Sequence, residues 1–186
     1  MGAFVLWFTG LPAAGKTSIA ALVTSDLTAR GWTVDTLDGD EVRTHLSRGL
    51  GFSKEDRDLS VLRVGWVASR LARAGAAVIV SVISPYEESR RAVRAMIEEH
   101  SPFIEIHVAT PVAVCIKRDP KGLYKKAFAG EVKHFTGVDG PYEEPSNPEL
   151  RLFTESRLPR ESADEVIARL QELRLIVHKD LVINRG

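Results

Sequence analysis

A stretch near the start of the chain, TGLPAAGKTS at positions 9–18, carries residues suited to binding phosphate groups. It follows the pattern G-x-x-x-x-G-K-[ST], in which glycine backbone wraps closely round phosphates and the first N–H groups of a helix bind anions. Lys16 would then reach the β- and γ-phosphates of a nucleoside triphosphate, and the Thr17 hydroxyl would face Mg²⁺. The predicted nucleotide contacts are Gly10, Leu11, Pro12, Ala13, Ala14, Gly15, Lys16, Thr17 and Ser18.

The residues on either side of this motif supply the strand and the helix that the pattern requires. Residues 4–8 (FVLWF) form a continuous apolar run, typical of a buried parallel strand. Residues 18–30 carry apolar side chains at helical spacing before Gly31. The alternative is a chance glycine turn before a helix. Because strand, loop and helix agree, we favour the phosphate-binding interpretation.

Strand-like and helix-like patterns alternate along the rest of the chain. The predicted strands cover 4–8, 33–37, 76–83, 103–109 and 150–154, and the predicted helices cover 18–30, 42–46, 55–74, 87–100, 112–118, 123–128 and 161–173. This alternation predicts an α/β fold, a doubly wound five-stranded parallel sheet with helices on both faces, as in P-loop nucleoside-triphosphate kinases. We expect one domain over residues 1–174 and a C-terminal tail, 175–186, of unknown role.

The overall composition restricts the class of ligand. The 25 basic and 25 acidic residues of the 186-residue chain cancel, so the bulk charge predicts neither nucleic-acid binding nor binding to an anionic membrane. The sequence has no apolar run of membrane-span length and no signal-peptide pattern, and Cys115, the single cysteine, has no partner for an internal disulfide. These features predict a cytoplasmic protein. The histidines lack metal-ligand spacing, so Mg²⁺ brought by ATP is the metal we expect.

Polar residues directly after predicted strands are the first candidates for ligand contacts. Ligands of parallel α/β sheets bind at the carboxyl ends of the strands. Asp38 and Asp40 follow the second predicted strand, Ser84 follows the third and Thr110 follows the fourth. We therefore expect these side chains to converge beside the phosphate loop.

Five further segments carry distinctive combinations of glycine, proline, aromatic and charged residues. They are LDGDEVR (37–43), GFSKEDR (51–57), VSVISPY (80–86), RDPKGLYKKA (118–127) and FTGVDGPYEEP (135–145). Together they resemble segments of adenylyl-sulfate kinases, in order, over nearly the whole chain, and GLYKKA followed by FTG is much more specific than the phosphate loop. The resemblance implies transfer of the ATP γ-phosphate to the ribose 3′-hydroxyl of adenylyl sulfate, which gives 3′-phosphoadenylyl sulfate in sulfate assimilation.

The Asp-Gly-Asp sequence is the candidate for acid–base chemistry. A ribose hydroxyl is a poor nucleophile at neutral pH, and a carboxylate within hydrogen-bond distance assists its attack. We interpret Asp40 as that carboxylate and Asp38 as a Mg²⁺ ligand through water, with Lys16 as a further catalytic side chain. The alternative is an ordinary Asp-Gly turn that closes a strand. The Val42-Arg43 pair that follows favours the catalytic interpretation.

Two arginines and two phenylalanines are candidates for holding the acceptor. Guanidinium groups match tetrahedral oxyanions, so we expect Arg43 and Arg57 to hold the phosphosulfate. Phe52 and Phe135, each in a loop, are expected to sandwich the adenine. Solvated helix faces for the arginines and core positions for the phenylalanines are the alternatives. The family's R-x-x-N pattern here ends in Ser60, whose shorter hydroxyl is expected to weaken substrate binding.

Residues 118–137 combine basic side chains, glycines and a short helical stretch, as a lid over a phosphate site requires. Closing such a lid would exclude water that otherwise competes for the phosphoryl group. The resemblance implies that Arg118 lies near the ATP adenine or phosphates and that Lys121 lies on the substrate side. For Lys125 and Lys126 the alternative is a solvated helix face, which we prefer for at least one of them.

The resemblance also marks Ser84, with Ile83 beside it, as a site residue with either a catalytic or a substrate-contacting role. One interpretation is a phosphorylated serine intermediate. The sequence indicates no partner base for Ser84, and direct in-line transfer requires no such intermediate. We therefore expect Ser84 to contact the substrate.

The sequence also bears on partners and on alternative functions. The resemblance implies a homodimer, with association or fusion with ATP sulfurylase as an option. The alternatives are a related kinase for another small hydroxylated acceptor and a non-catalytic nucleotide-binding module with a regulatory role. The presence of Lys16 and both DGD carboxylates disfavours the second. The apolar residues at 175–177 have three interpretations: packing on the domain, pairing with a neighbour, or leading to a lost fusion partner.

Overall fold

A computed structural model describes residues 2–177. Within them, five parallel strands form one sheet in the order β2-β3-β1-β4-β5. The elements are β1 (Phe4–Thr9), α1 (Lys16–Ala29), β2 (Val34–Asp38), α2 (Gly39–His45), α3 (Lys54–Arg73), β3 (Ala77–Ser81), α4 (Glu87–Glu98), β4 (Phe103–Val108), α5 (Val112–Arg118), α6 (Leu123–Phe128), β5 (Leu150–Leu152) and α7 (Pro159–Glu172). The predicted doubly wound parallel sheet is confirmed.

The central strand β1 is buried on both of its faces. Phe4, Leu6 and Phe8 share one core with α1 and α7. Val5 and Trp7 share the other core with α3 and α4. Successive strand residues point to opposite faces, so one continuous apolar run contributes to both cores. The helices on the two faces therefore fix β1, and with it the phosphate loop that follows β1.

The chain between β1 and α1 has the backbone that a phosphate-binding loop requires. Gly10 and Gly15 have φ values of 149° and 108°, and Ala13 has a φ of 61°. A Cβ atom at Gly10 would lie 2.6 Å from the carbonyl oxygen of Val108, so only glycine fits where the loop passes the end of β4. α1 then begins at Lys16, earlier than the predicted residue 18.

Two further differences between the predicted and the observed boundaries shape the cavity described below. β3 ends at Ser81 instead of 83, so residues 82–86 form a loop. α2 starts at Gly39 instead of 42, because the Asp38 carboxylate accepts a hydrogen bond of 3.0 Å from the Asp40 N–H and caps the helix. The Asp-Gly-Asp sequence is therefore a helix start.

The chain that follows α7 returns to the core. Leu175 packs against the core that contains α1 and α7, and Ile176 is 5% exposed within it. Of the three interpretations of 175–177, packing on the domain holds for these two residues. The rest of the predicted tail, 178–186, lies outside the described residues. Between residues 2 and 177, no helix combines the length and the apolar character needed to span a bilayer.

Candidate active site

A cavity of about 940 Å³ lies at the carboxyl ends of the central strands, and most of the predicted site residues line it. These are Pro12, Ala13, Gly15, Lys16, Thr17, Ser18, Asp38, Asp40, Arg43, Phe52, Arg57, Ser60, Ile83, Ser84, Arg118, Lys121 and Phe135. Gly10, Leu11 and Ala14 do not line the cavity. Their carbonyl oxygens instead accept hydrogen bonds that hold the loop in place.

Lys16 is a buried positive charge in the phosphate loop. Its ammonium group donates hydrogen bonds to the carbonyl oxygens of Gly10 (2.9 Å) and Leu11 (2.8 Å). Burial lowers the pKa of Lys16 from 10.5 to about 8, because desolvation disfavours the charged form. The loop therefore presents a poorly hydrated cation at the cavity wall, where a phosphate group would stabilise it.

The burial of Lys16 predicts that nucleotide binding is linked to proton uptake. Above about pH 8 a growing fraction of the free protein has a neutral Lys16, whereas a bound triphosphate favours the ammonium and raises its pKa. ATP affinity should therefore fall as the pH rises through about 8. Titration calorimetry at about pH 8.5, in two buffers of different ionisation enthalpy, should detect the uptake. Lys16→Gln should abolish it, and equal uptake by both proteins would contradict the assignment.

Oxygen donors suited to Mg²⁺ lie next to the phosphate loop. Thr17 Oγ1 donates to Asp38 Oδ2 at 2.8 Å, and Ser81 Oγ lies 3.4 Å from the Thr17 hydroxyl. Hydroxyl and carboxylate oxygens are the ligands that this hard cation prefers, so the Thr17–Asp38 pair fits the predicted ion. Ser81, the last residue of β3, was not predicted. Over residues 2–177 no group of three or more His, Cys, Asp or Glu side chains is arranged to hold a metal ion.

Asp40, the candidate general base, lies at the start of α2 and contacts the predicted lid. Its carboxylate forms an ion pair with the ammonium of Lys121, and its backbone N–H is bonded to Asp38. Both side chains of the ion pair are exposed, 76% for Asp40 and 58% for Lys121. The candidate base therefore connects the Thr17–Asp38 pair to a residue that lies 81 positions away in the sequence.

Arg43 and Arg57 both contact the ring of Phe52. The guanidinium carbon lies 4.3 Å from the ring centroid for Arg43 and 5.2 Å for Arg57. Arg57 also donates to the carbonyl oxygens of Phe52 (3.1 Å) and His134 (2.9 Å). Burial, and then the neighbouring charge of Arg43, lower the pKa of Arg57. Two positive charges at one aromatic ring make this part of the cavity suited to an anionic group.

Phe135 and Ser60 lie in the same cavity wall. Phe135 is 4% exposed and packs edge-to-face on Tyr124, with ring centroids 5.1 Å apart, so it belongs to the core as well as to the cavity. Ser60 Oγ lies 2.5 Å from the hydroxyl of Ser47, a cavity residue that was not predicted. No motif marks Ser47, and only its contact with α3 brings it to the site.

Ser84 is buried beside the cavity in a conformation that is uncommon for a residue with a side chain. Its φ of 40° lies in the left-handed region. Trp7 Nε1 donates to Ser84 Oγ at 3.0 Å, and Arg90 Nη1 donates to the Ser84 carbonyl at 2.7 Å. Among residues 2–177, no carboxylate or imidazole forms a hydrogen bond with the Ser84 hydroxyl. The arrangement gives this hydroxyl a donor and no base.

Arg118 belongs to an end of the cavity that sequence reasoning largely missed. Its guanidinium donates to the Thr154 carbonyl at 2.5 Å and to the Thr154 hydroxyl at 3.0 Å. Thr154, Arg157, Pro159 and Ser162 also line the cavity, and the Ser162 hydroxyl is buried with no hydrogen-bond partner in the described part of the chain. The one signal that could have found these residues is their position after β5, because ligands bind beyond strand ends.

Comparison with known proteins places this geometry in a family. The family model for adenylylsulphate kinase matches residues 2–153. An adenylyl-sulfate kinase of Rippkaea orientalis is 49% identical over 168 residues, which cover 90% of this chain and 91% of that protein. A probable bifunctional SAT/APS kinase 2 of Sorangium cellulosum is 50% identical over 173 residues, which cover 93% of this chain but only 29% of that protein.

A solved structure agrees with these sequence matches. The Mycobacterium tuberculosis APS kinase CysC, in complex with AMPPNP and APS, has a TM-score of 0.88 and 44% identity, over 91% of this chain and 98% of that one. The 2–153 match includes the phosphate loop, Arg43, Arg57 and the predicted lid. Sequence and fold therefore agree over most of the chain, and the protein belongs to the adenylyl-sulfate kinase family.

Proposed function

We propose that the protein transfers the γ-phosphoryl group of ATP to the 3′-hydroxyl of adenylyl sulfate, which gives 3′-phosphoadenylyl sulfate and ADP. One observation carries this proposal: a single cavity contains both the phosphate loop and the Arg43–Phe52–Arg57 cluster. A nucleotide donor and an anionic acceptor therefore have adjoining sites. The M. tuberculosis relative, solved with AMPPNP and APS together, supports this assignment.

The donor side of the cavity holds the triphosphate. Lys16 and the loop N–H groups bind the phosphate oxygens, and Arg118 with Thr154 bounds the nucleotide at the other end. Thr17 and, through water, Asp38 would hold Mg²⁺, which would neutralise negative charge on the phosphates. The side chains of this part of the cavity position the γ-phosphorus for in-line attack.

The transfer step uses Asp40. The acceptor O3′ forms a bond to the γ-phosphorus as the bond from that phosphorus to the β,γ-bridging oxygen breaks, and the bridging oxygen leaves with ADP. Asp40 accepts the O3′ proton as the new bond forms. Lys121, which is paired with Asp40, contacts the acceptor from the lid.

The acceptor side of the cavity recognises adenylyl sulfate. Arg43 and Arg57 bind the phosphosulfate oxygens, and Phe52 with Phe135 contacts the adenine. Remaining contacts come from the Ile83–Ser84 backbone and from Ser60, whose hydroxyl is paired with Ser47. Ser84 serves as a contact and carries no phosphoryl group, because its hydroxyl accepts from the Trp7 indole and has no base partner among the described residues.

Residues 118–137 act as the lid. Tyr124, on α6, donates its hydroxyl proton to the Pro12 carbonyl oxygen at 3.1 Å, and Arg118 donates to the Ala14 carbonyl oxygen at 3.2 Å. The segment is therefore attached to the phosphate loop at two points. The lid contacts the acceptor side through the bonds from Arg57 to His134 and from Lys121 to Asp40. Contacts with both halves of the cavity suit a segment that excludes water when both substrates are bound.

A coupled assay of ADP release tests the proposed activity. ADP release from Mg-ATP should depend on adenylyl sulfate and remain at background without an acceptor or with adenosine 5′-phosphate in its place. The same assay with a panel of nucleotides and sugars tests a kinase with a different hydroxylated acceptor. ADP release that is independent of adenylyl sulfate, or greater with another acceptor, would refute the proposal.

The two acceptor-side arginines give a prediction about selectivity. Arg43→Ala and Arg57→Ala should each raise the KM for adenylyl sulfate by about 10–100-fold, because each loses a charge-assisted contact with the phosphosulfate. The KM for ATP should change by less than about threefold, since these contacts lie on the other substrate. Steady-state kinetics with one substrate varied at saturating levels of the other measures both values.

Controls separate this effect from a loss of structure. Arg57 is buried and bonded to two carbonyl groups, so its substitution could also destabilise the fold, and the thermal unfolding midpoint of Arg57→Ala must be measured. Arg43 is exposed, so its substitution carries less of this risk. Arg48→Ala is the matched control, because Arg48 is exposed and does not line the cavity. Equal losses for both nucleotides would count against the assignment.

The oligomeric state and the cellular location of the protein are further parts of the proposal. A homodimer remains a prediction from the family resemblance. Association with ATP sulfurylase is supported by the Sorangium cellulosum relative, whose name describes a bifunctional SAT/APS kinase. Cytoplasmic location remains a prediction from the sequence.

A further inference from the structure

The segment GPYEEP, residues 140–145, is part of the family resemblance but does not line the cavity. It nevertheless contacts the loop 82–86, which follows β3 and contains the acceptor-side residues Ile83 and Ser84. Glu143 bonds both to the end of this loop and to the first residue of α4, which follows the loop. Its N–H donates to the Pro85 carbonyl oxygen at 2.8 Å, and its carboxylate accepts from the N–H of Glu87 at 2.8 Å.

Arg90 joins the same two segments from the buried side. Its guanidinium donates to the Ser84 carbonyl and to the Glu143 carbonyl, both at 2.7 Å. The side chain is 1% exposed and forms ion pairs with Glu87 (2.5 Å) and Glu105 (2.9 Å). A guanidinium that is held by two carboxylates in a buried position has little freedom to move. Arg90 therefore fixes the two carbonyl groups relative to each other.

Tyr142 adds a third connection between the segments. Its hydroxyl lies 3.0 Å from Thr9 Oγ1, and Thr9 Oγ1 donates to the Ile83 carbonyl oxygen at 2.7 Å. The carbonyl groups of Ile83, Ser84 and Pro85 are therefore all bonded to residues of this network. Ser84 has a φ of 40°, and such a conformation persists only where the surroundings impose it. The network supplies that constraint.

We propose that Glu143, acting with Arg90, is a positioning residue for acceptor binding. It holds the loop 82–86 in the strained conformation that presents Ile83 and Ser84 to adenylyl sulfate. The segment 140–145 begins three residues after the lid ends, so the same contacts restrain that end of the lid near this loop. The inference rests on the proposed function, because it concerns the acceptor of that reaction.

The test compares neighbouring glutamates. Glu143→Ala removes the acceptor for the Glu87 N–H and should raise the KM for adenylyl sulfate by about 10-fold, with the KM for ATP nearly unchanged. Glu143→Gln keeps a side-chain oxygen that can accept the Glu87 N–H, so its KM for adenylyl sulfate should stay close to the wild-type value. Glu144→Ala is the matched control, because Glu144 is exposed and pairs with Arg151.

A spectroscopic readout tests the positioning without substrate. The Trp7 indole N–H donates to Ser84 Oγ, so its ¹H–¹⁵N resonance reports the loop conformation. This resonance should shift in Glu143→Ala and not in Glu144→Ala, with exposed Trp66 as an internal reference. Should Glu143→Ala fail to fold, Tyr142→Phe removes the hydroxyl contact to Thr9 and should give the same selective changes, smaller in size.

The outcomes separate this inference from the proposed function. An unchanged Trp7 resonance in the folded variant, or equal rises in both KM values, would overturn the positioning role. A shifted resonance with a selective rise for adenylyl sulfate supports it. A wild-type protein that is inactive with adenylyl sulfate would refute the proposed function, and the Trp7 resonance would still decide whether Glu143 positions the loop.

Discussion

Replacement of Lys16 by alanine should lower the rate of phosphoryl transfer by about 100-fold or more. Lys16 is a desolvated cation held by two carbonyl groups at the cavity wall, so its charge acts on the phosphates with little screening by water. In the transition state negative charge is spread over the peripheral oxygens of the transferring group and builds up on the leaving oxygen, and alanine offers nothing to stabilise it. ADP release at saturating substrates measures the loss, and titration with ATP measures binding separately.

The fold should survive this substitution, because Lys16 belongs to neither apolar core. Thermal unfolding of the variant should confirm that, with a midpoint close to that of the wild type. Lys125→Ala is the matched control, since Lys125 is exposed on α6 and does not line the cavity. A Lys16→Ala protein that turned over at the wild-type rate would refute the phosphate-loop interpretation.

The sheet and its helices could be predicted because burial on both faces leaves a simple pattern in the sequence. The run 4–8 is apolar at every position, and strands of this kind belong to parallel sheets covered by helices. The same rule placed Asp38 and Ser84 at the carboxyl edge of the sheet. The order of the strands left no local signal, because it depends on how the connecting helices pack.

The end of β3 is one boundary that the apolar pattern of the sequence did not predict correctly. Val82 and Ile83 are apolar and continue the run, so a strand to 83 was predicted, but β3 ends at Ser81. Both residues line the cavity, although Val82 also packs in the core with α3 and α4 and its N–H donates to the Phe8 carbonyl oxygen at 3.2 Å. An apolar residue that faces a ligand and one that faces a core look the same in sequence. The difference came from long-range contacts, such as the Thr9 hydroxyl that bonds the Ile83 carbonyl.

The site residues that were missed have the same explanation. Ser47 and Ser162 are small and common, and only their neighbours in space distinguish them. The pairing of Asp40 with Lys121 joins residues 81 positions apart. Motifs with fixed local spacing, such as the phosphate loop, could be predicted from sequence because their chemistry uses backbone groups that are neighbours along the chain.

Asp40→Asn should lower kcat by about 10²–10⁴-fold, the usual contribution of a general base. The substitution keeps the size of the side chain and removes its ability to take the O3′ proton. ATP binding, measured separately, should change little, because the Asp38 cap and the Thr17 contact remain. Lys121→Gln separates the two roles of Asp40. This variant breaks the same ion pair but keeps the Asp40 carboxylate. Its effect should therefore be mainly a higher KM for adenylyl sulfate, with kcat little changed.

Ser84→Ala distinguishes direct transfer from a phosphoserine intermediate. If Asp40 deprotonates the acceptor and transfer is direct, Ser84→Ala loses a substrate contact and the bond to Trp7 but keeps substantial turnover at saturating adenylyl sulfate. If Ser84 carried the phosphoryl group, the alanine variant would be inactive at any substrate concentration, and wild-type protein given labelled ATP alone would retain label on Ser84. The buried hydroxyl accepts from Trp7 and has no base partner between residues 2 and 177, which favours direct transfer. Stoichiometric label on Ser84, together with an inactive alanine variant, would overturn the role proposed for Asp40.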